Sequence, residues 1–301
     1  MTLHVRAKAA LDAYSGLPAL RVCYARPHCR EGGVPATALE RRQAIIREIE
    51  EVRGTRLVTY ITGDRPGGGP SLSLALSMDQ AVVPFIHQAL RDIGRSDNVD
   101  LFLYTRGGQV DAVWPIVSLF REYGQKQFAT LVPFRAHSAG TLLLMGADRV
   151  VMCEAAELTS VDPTTGNLFN PPDELAKNSR KGISVEDVSA YFSLAREGEK
   201  TKLTEPAHTL EVFRELTRQV HPLALGHVQR VYTQIRLIAQ KLLRISRQKY
   251  SDARIKKIVT TLTEKLYSHT HAVNRQDASQ LFGGAVALAS EKEESACWRL
   301  Y

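Results

Sequence analysis

The sequence predicts an α/β fold built on a parallel sheet, and three observations support this prediction. Short apolar runs of strand length alternate with segments whose apolar residues recur at helical spacing. The run VDLFLY at residues 99–104 has the character of a buried strand. The chain has 301 residues, of which 44% are hydrophobic, so it can bury a core without disulfides. Such alternation is typical of parallel strands joined by right-handed crossovers.

The individual elements follow from local patterns. The segment 37–53 alternates apolar and charged residues at helical spacing and stops at Gly54, a common helix terminator. Ser184 with Asp187 three residues later predicts the start of another helix. We predict strands at 57–61, 99–104, 128–133 and 149–152, and helices at 37–53, 79–93, 142–146, 210–220, 224–245 and 253–267, with a further helix reaching Tyr123.

Changes in composition suggest the domain organisation. Residues 1–36 have mixed character and contain Pro and Gly, so we expect an N-terminal arm. The main domain is predicted at 37–285, with a helical insertion or cover at about 171–268. Residues 286–301 are expected to form a polar, frayed tail.

Charge and cysteine usage narrow the class of protein. The net charge is +7, but the basic residues are interleaved with acidic ones along the C-terminal helices. This pattern favours a solvated helix face over a nucleic-acid site. Cys23, His28 and Cys29 are close in sequence, but no second pair of ligands stands at a usual distance, so no metal is predicted.

The same features predict the location of the protein. The four cysteines show no regular spacing and indicate free thiols in a reducing compartment. No apolar stretch reaches the length of a membrane span, and the N-terminal apolar run is too short for a signal peptide. We therefore expect a cytoplasmic protein without a membrane span.

Two turns at the ends of predicted strands carry the chemistry. The first contains Gly107 and Gly108, which allow a sharp turn with backbone N–H groups left for a ligand. The second places Ser138 among small residues at the start of a helix. An oxyanion could lie between the N–H groups of Gly108 and Ala139, as acyl transfer requires. The alternative is that Ser138 merely caps the helix.

The segments TRGGQVDA, PFRAHSAGTLLLMGADRVVM and ELTSVDPTTG at residues 105–165 resemble the Clp protease and signal peptide peptidase superfamily, and the serine dehydrogenase proteinase family most closely. The resemblance extends over roughly residues 40–285. It implies a crotonase-type spiral of repeated ββα units with a helical C-terminal region, and ring-shaped homo-oligomers. It also implies that Ser138 is the nucleophile and that Gly108 and Ala139 supply the oxyanion N–H groups.

Three segments depart from the family pattern. Arg106 stands where the family has proline, which could alter the mouth of the site or bind a substrate carboxylate. His137 replaces a small or apolar residue, and its side chain should diverge from the neighbouring hydroxyl. Phe282 and Gly283 stand where the family ends in Gly-Leu.

The general base is left open by the sequence. The Clp subunit has its histidine at a position occupied here by Ser160 or Val161, beside Asp162. His269 falls near the place of the Clp aspartate, so Asp162 could orient His269 in an exchanged arrangement. The alternative bases are His221, Lys181 and Lys177.

The resemblance implies a serine peptidase that acts on peptides or proteins without a cofactor. Two alternatives remain. The chain could be a catalytically inactive, oligomeric scaffold or interaction protein, which the missing histidine favours. It could also act on an acyl thioester, although nothing in the sequence indicates an adenine or pantetheine site.

Overall fold

A computed structural model describes residues 37–63, 77–162, 164–174, 179–197, 203, 205–266 and 271–301, together with the backbone of 21–24. Its residues fall into two compact units. The first lies within residues 1–159, 242–252 and 272–301, and the second within 160–241 and 253–271.

The described strands and helices are as follows. The strands are β1 (Arg21–Tyr24), β2 (Arg56–Ile61), β3 (Ser96–Tyr104), β4 (Gly124–Val132), β5 (Arg135–Ala136), β6 (Arg149–Met152), β7 (Glu157–Leu158), β8 (Thr164–Thr165), β9 (Ile183–Ser184), β10 (Val273–Asn274) and β11 (Val286–Leu288). The helices are α1 (Ala38–Arg53), α2 (Val83–Ile93), α3 (Val113–Tyr123), α4 (Ala139–Leu144), α5 (Val185–Glu197), α6 (Pro206–Gln219), α7 (Pro222–Ile245), α8 (Asp252–Glu264), α9 (Arg275–Phe282) and α10 (Glu291–Leu300).

The central sheet of the first unit is parallel, as predicted, apart from one edge strand. Its order in the described chain is β1-β2-β3-β4-β6-β11. Strands β2, β3, β4, β6 and β11 run parallel, and β1 pairs antiparallel with β2 at one edge. β1 lies within the predicted N-terminal arm, so part of that arm belongs to the sheet. The α/β class predicted from the sequence is confirmed.

The core of this unit forms around β3 and β4. Leu101, Phe102 and Leu103 of β3 are all fully buried, so both faces of the strand are covered. Phe120 of α3 stacks on Phe128 of β4 with ring centroids 4.9 Å apart. These contacts anchor the strand ends that carry the two predicted turns.

The first helix begins and ends where its sequence predicts. The Thr37 side chain accepts a hydrogen bond from the Glu40 N–H, and the Glu40 carboxylate accepts one from the Thr37 N–H. Gly54 ends the helix in the left-handed region at φ 63°. Local chemistry was therefore sufficient to locate α1.

A small second sheet, in the order β10-β7-β5, positions the serine turn. β5 runs parallel to β7, with Ala136 beside Leu158. Thr105, directly after β3, donates its N–H to the Arg135 carbonyl at 2.8 Å and accepts from the His137 N–H at 3.0 Å. The end of β3 and the approach to Ser138 are thus joined by backbone hydrogen bonds.

The described part of the second unit is mainly helical. The Ser184 hydroxyl accepts from the Asp187 N–H at 3.2 Å, as the predicted cap of α5 requires. Phe192 of α5 stacks on Phe213 of α6 with centroids 6.2 Å apart. Glu264 of α8 accepts from the Tyr232 hydroxyl of α7 at 2.5 Å. Among the described helices, none is long and apolar enough to cross a membrane.

The predicted polar tail is wrong: residues 286–301 form β11 and α10. Ser290 and Glu293 build a capping box at the start of α10. Ala296, Cys297 and Leu300 are buried on one side of the helix. The polar composition hid this side because only about a third of the helix faces the protein.

A buried ion pair attaches α10 to the sheet. Asp100 of β3 is fully buried, and its carboxylate accepts from Arg53 Nε at 2.5 Å and from the Thr55 hydroxyl at 2.9 Å. Arg53 also pairs with Glu293 of α10. Burial raises the pKa of Asp100, while the Arg53 guanidinium opposes this shift.

We expect Arg53→Met to lower the free energy of unfolding by about 3–5 kcal/mol, because it leaves the buried Asp100 carboxylate without its cation. Lys126→Met is the control, since Lys126 pairs with Asp97 at 2.7 Å on the exposed surface and should change stability by less than about 1 kcal/mol. Urea unfolding measures both variants. Equal losses of unfolding free energy in Arg53→Met and Lys126→Met would contradict this account of the Arg53–Asp100 pair.

Candidate active site

Ser138 occupies a strained backbone conformation between β5 and α4. Its φ and ψ are 51° and −112°, a region that residues with a side chain rarely adopt and that costs about 1–3 kcal/mol. Its side chain makes no capping hydrogen bond to the helix. The structure therefore removes the alternative in which Ser138 is only a helix cap.

The surroundings of Ser138 are small and closely packed. Ala136, Ala139 and Gly140 are buried, whereas Ser138 itself is partly exposed. A Cβ at Gly140 would come within 2.5 Å of the Thr105 Cγ2 atom. Small residues thus let the serine turn pack against the end of β3 while Ser138 stays partly exposed.

The glycine turn lies directly against the serine. A Cβ at Gly107 would lie 2.7 Å from the Ser138 Cβ, closer than van der Waals contact allows, and 3.3 Å from its Oγ. Gly107 also has φ 107°, in the region that favours glycine. The two predicted turns therefore touch, which the sequence suggested but could not show.

Gly108 is held by a neighbouring segment. The Met78 N–H donates to the Gly107 carbonyl at 2.7 Å, and the Gln109 N–H donates to the Met78 carbonyl at 2.9 Å. A Cβ at Gly108 would lie 2.2 Å from the Met78 carbonyl oxygen. Only glycine fits this approach, and the pairing fixes the peptide that carries the Gly108 N–H.

Two backbone donors remain for a ligand. Within the described residues of the first unit, no group accepts a hydrogen bond from the N–H of Gly108 or Ala139. The Ser138 N–H, by contrast, donates to the Thr159 hydroxyl at 2.9 Å. Gly108 and Ala139 are the predicted oxyanion donors, and that role stays a prediction, whereas the Ser138 N–H already has a partner.

His137 turns toward an acidic neighbour. Its Nε2 lies 3.1 Å from Glu157 Oε1, and the same oxygen accepts from Arg135 Nε at 2.8 Å. Burial lowers the pKa of His137, while Glu157 opposes the shift. The ring is engaged by Glu157, as expected for a side chain that diverges from the serine hydroxyl.

The predicted orienting acid lies in the second unit. Asp162 is 4% exposed and accepts from the Ser184 hydroxyl at 3.2 Å. Burial raises the pKa of neighbouring Glu186, and the Asp162 charge adds to this effect. His269, which Asp162 would orient, lies outside the described residues, as does Lys177.

The other two predicted bases also lie in the second unit, and both are exposed. His221 Nδ1 accepts from the Leu223 N–H at 3.1 Å, and its ring stacks on Phe169 with centroids 4.9 Å apart. The Lys181 backbone donates to the Pro171 carbonyl at 2.9 Å. These contacts hold the two residues locally, and their catalytic roles remain predictions.

Sequence reasoning missed Thr159 and Met78, which contact the two turns. Thr159 follows β7, and its position beside Ser138 depends on the pairing of β5 with β7. Met78 is brought to Gly108 by a single bridge. Neither residue carries a local pattern that could have revealed these contacts.

Comparison with known proteins identifies similar sequences. The family described as ClpP-like SDH-type serine proteinase matches residues 34–191. The uncharacterized protein MJ0137 of Methanocaldococcus jannaschii is 22% identical over 241 residues, which cover 80% of this chain and 71% of that protein. A second uncharacterized protein of the same organism, MJ1495, is 29% identical over 147 residues, covering 49% of this chain and 50% of that protein.

Two solved structures are among those similar to this chain. Two variants of the 1510-N membrane-bound stomatin-specific protease each align with a TM-score of 0.42. The serine-to-alanine variant is 12% identical and covers 71% of this chain and 75% of that chain. The lysine-to-alanine variant, in complex with a substrate peptide, is 13% identical, and the alignment covers 72% of this chain and 75% of that chain.

Replacing Ser138 by glycine should stabilise the protein. Glycine relieves the strain at φ 51°, whereas alanine keeps it. The free energy of unfolding of Ser138→Gly should therefore be about 1 kcal/mol higher than that of Ser138→Ala. Urea unfolding of the two variants measures the difference. Equal stability would argue against a strained turn at this residue.

Gly107→Ala should lower the free energy of unfolding by about 3 kcal/mol, from backbone strain and collision with the Ser138 side chain. In a Ser138→Gly background the loss should fall by at least about 1 kcal/mol, because the colliding atoms are gone. Gly54→Ala is the control, with φ 63° and no atom within 4 Å of the added Cβ, and should lose about 1 kcal/mol. If Gly107→Ala lost the same unfolding free energy in the wild-type and Ser138→Gly backgrounds, this result would contradict contact between the two turns.

Proposed function

Because the chain belongs to the ClpP-like SDH-type serine proteinases, we propose that it is a serine peptidase with Ser138 as nucleophile. The observation that carries the proposal is the contact between Gly107 and the Ser138 side chain. This contact brings the glycine turn and the serine turn together at one place. A partly exposed serine and two backbone donors without partners among the described residues of the first unit then share one site.

The proposed reaction is acyl transfer in two steps. Ser138 Oγ attacks the carbonyl carbon of a peptide bond and gives its proton to a base. The N–H groups of Gly108 and Ala139 stabilise the negative oxygen that forms. The peptide C–N bond then breaks, the protonated amine leaves, and water releases the acyl group from Ser138. These steps require no metal or organic cofactor.

For the base we propose His269, oriented by Asp162. The burial of Asp162 and its hydrogen bond from Ser184 support an orienting role, because such a carboxylate is held in place. His221, Lys181 and Lys177 are the alternatives.

An inactive scaffold is the second candidate. It is favoured by one observation: in the described part of the first unit, no side chain hydrogen-bonds to Ser138 Oγ. A serine hydroxyl without a base is a weak nucleophile. Fluorophosphonate labelling separates the two candidates, since only the peptidase should be labelled.

Homo-oligomer formation and a cytoplasmic location belong to the same proposal. Large apolar side chains on the second unit support assembly, with Leu194 65%, Leu210 51% and Leu237 60% exposed. The irregular spacing of the cysteines, which indicates free thiols in a reducing compartment, supports the cytoplasmic location.

We expect Ser138→Ala to abolish covalent labelling by a fluorophosphonate probe, because the reagent forms a bond to an activated serine oxygen. Ser279→Ala is the matched control: Ser279 lies in α9 of the first unit, and among the described residues its hydroxyl donates to the Arg275 carbonyl of its own helix. Labelling measured by gel fluorescence and by peptide mass spectrometry should persist in the control. Labelling that survives in Ser138→Ala would remove Ser138 from the mechanism, and an unlabelled wild-type protein would favour the scaffold.

The base can be assigned with the same probe. Substituting the true base should slow labelling by about 10²–10⁴-fold, while substituting the other candidates should leave the rate within about threefold. The variants are His269→Ala, Asp162→Asn, His221→Ala, Lys181→Ala and Lys177→Ala. Unchanged rates in His269→Ala and Asp162→Asn would overturn the proposed pair.

A further inference from the structure

The strained backbone of Ser138 is held by a buried threonine. The Ser138 N–H donates to the Thr159 hydroxyl at 2.9 Å. Thr159 is 2% exposed, so water does not readily replace this acceptor. Among the described residues, Thr159 is the acceptor for the peptide N–H of the proposed nucleophile.

Thr159 is itself anchored to the serine turn by a second threonine. The Thr159 N–H donates to the Thr141 hydroxyl at 3.1 Å, and that hydroxyl donates to the Ala136 carbonyl at 2.7 Å. Thr141 is fully buried. These three hydrogen bonds form a closed loop that starts two residues before Ser138 and returns to its own N–H.

The sheet explains why Thr159 can reach the serine. β5 and β7 run in parallel with Ala136 beside Leu158, so the residue after Leu158 lies beside the start of the serine turn. The backbone angles of Ser138 decide where its Oγ lies. A bond to the Ser138 N–H therefore acts on the position of the hydroxyl without touching the substrate.

We propose that Thr159 is a positioning residue, whose hydroxyl holds the Ser138 turn in the conformation that presents Oγ for attack. This inference rests on the proposed function. It assigns Thr159 no contact with substrate and no proton transfer. Its expected effect is on the rate of the chemical step rather than on reagent binding.

The test measures fluorophosphonate labelling of Ser138 as a function of probe concentration, which separates the maximal rate from the half-saturating concentration. Thr159→Val keeps the size and shape of the side chain and removes the acceptor. We expect the maximal rate to fall about 10- to 100-fold with the half-saturating concentration changed less than about twofold. Thr159→Ser keeps the acceptor and should recover the rate to within about threefold of wild type.

The matched control is Thr130→Val. Thr130 is a fully buried threonine of β4 whose hydroxyl has no hydrogen-bond partner among the described residues, so its labelling rate should equal that of wild type. A purely structural role of Thr159 predicts a different result. A smaller fraction of the Thr159→Val protein would be folded, but that folded fraction would be labelled at the wild-type rate. Final labelling amplitude and thermal unfolding report that fraction.

Two results would overturn the inference while leaving the peptidase proposal intact. One is a wild-type rate for the folded fraction of Thr159→Val, and the other is a Thr159→Ser rate as low as that of Thr159→Val. If Thr159→Val does not fold, Thr159→Ser and Thr159→Cys give the same comparison, because sulfur is the weaker acceptor. A wild-type protein that is not labelled at Ser138 would overturn the proposed function, and this inference with it.

Discussion

The close approach of Gly107 to Ser138 is the contact on which the candidate site depends. It exists because Gly107 has no Cβ, since any side chain there would overlap the serine. The approach also requires Ser138 to hold a positive φ, which the surrounding structure must maintain against strain. One missing methyl group and one strained serine thus create the geometry that could support acyl transfer.

The sheets supply the framework that maintains this contact. Thr105 extends β3 by pairing with the segment around Ala136, so the two turns share backbone hydrogen bonds. The pairing of β5 with β7 brings Thr159 to the serine N–H. On the other side, Met78 fixes Gly108 through two further backbone bonds. The site is therefore built from backbone pairing rather than from long side chains.

Backbone strain at Ser138, maintained by buried neighbouring side chains, is typical of functional residues. The Ser138 turn holds a partly exposed serine in an unfavourable conformation. The buried hydroxyls of Thr141 and Thr159 stabilise this conformation by hydrogen bonds. A residue selected only for stability would relax, for example as glycine. The fold thus keeps Ser138 in a strained conformation at the position proposed for the nucleophilic hydroxyl.

Much of the fold could be predicted from local sequence. The capping box at Thr37, Gly54 after α1 and the apolar run of β3 each have a short-range cause, so the helix, its end and the strand were located correctly. The glycine pair and the small residues around Ser138 also suggested the two turns. The sequence missed α10 because the residues it buries are few and lie among charged ones.

The amino-acid sequence by itself determined the α/β class and the positions of its main elements, because these depend on periodicity, capping and glycine content. It also pointed to Ser138 as the candidate nucleophile, through the small residues around it and the family resemblance. Only the tertiary structure decided that Gly107 touches Ser138, that His137 turns to Glu157 and that Thr159 holds the serine N–H. Each of these contacts joins segments brought together by strand pairing, and the register of that pairing leaves no mark on the sequence of any one segment.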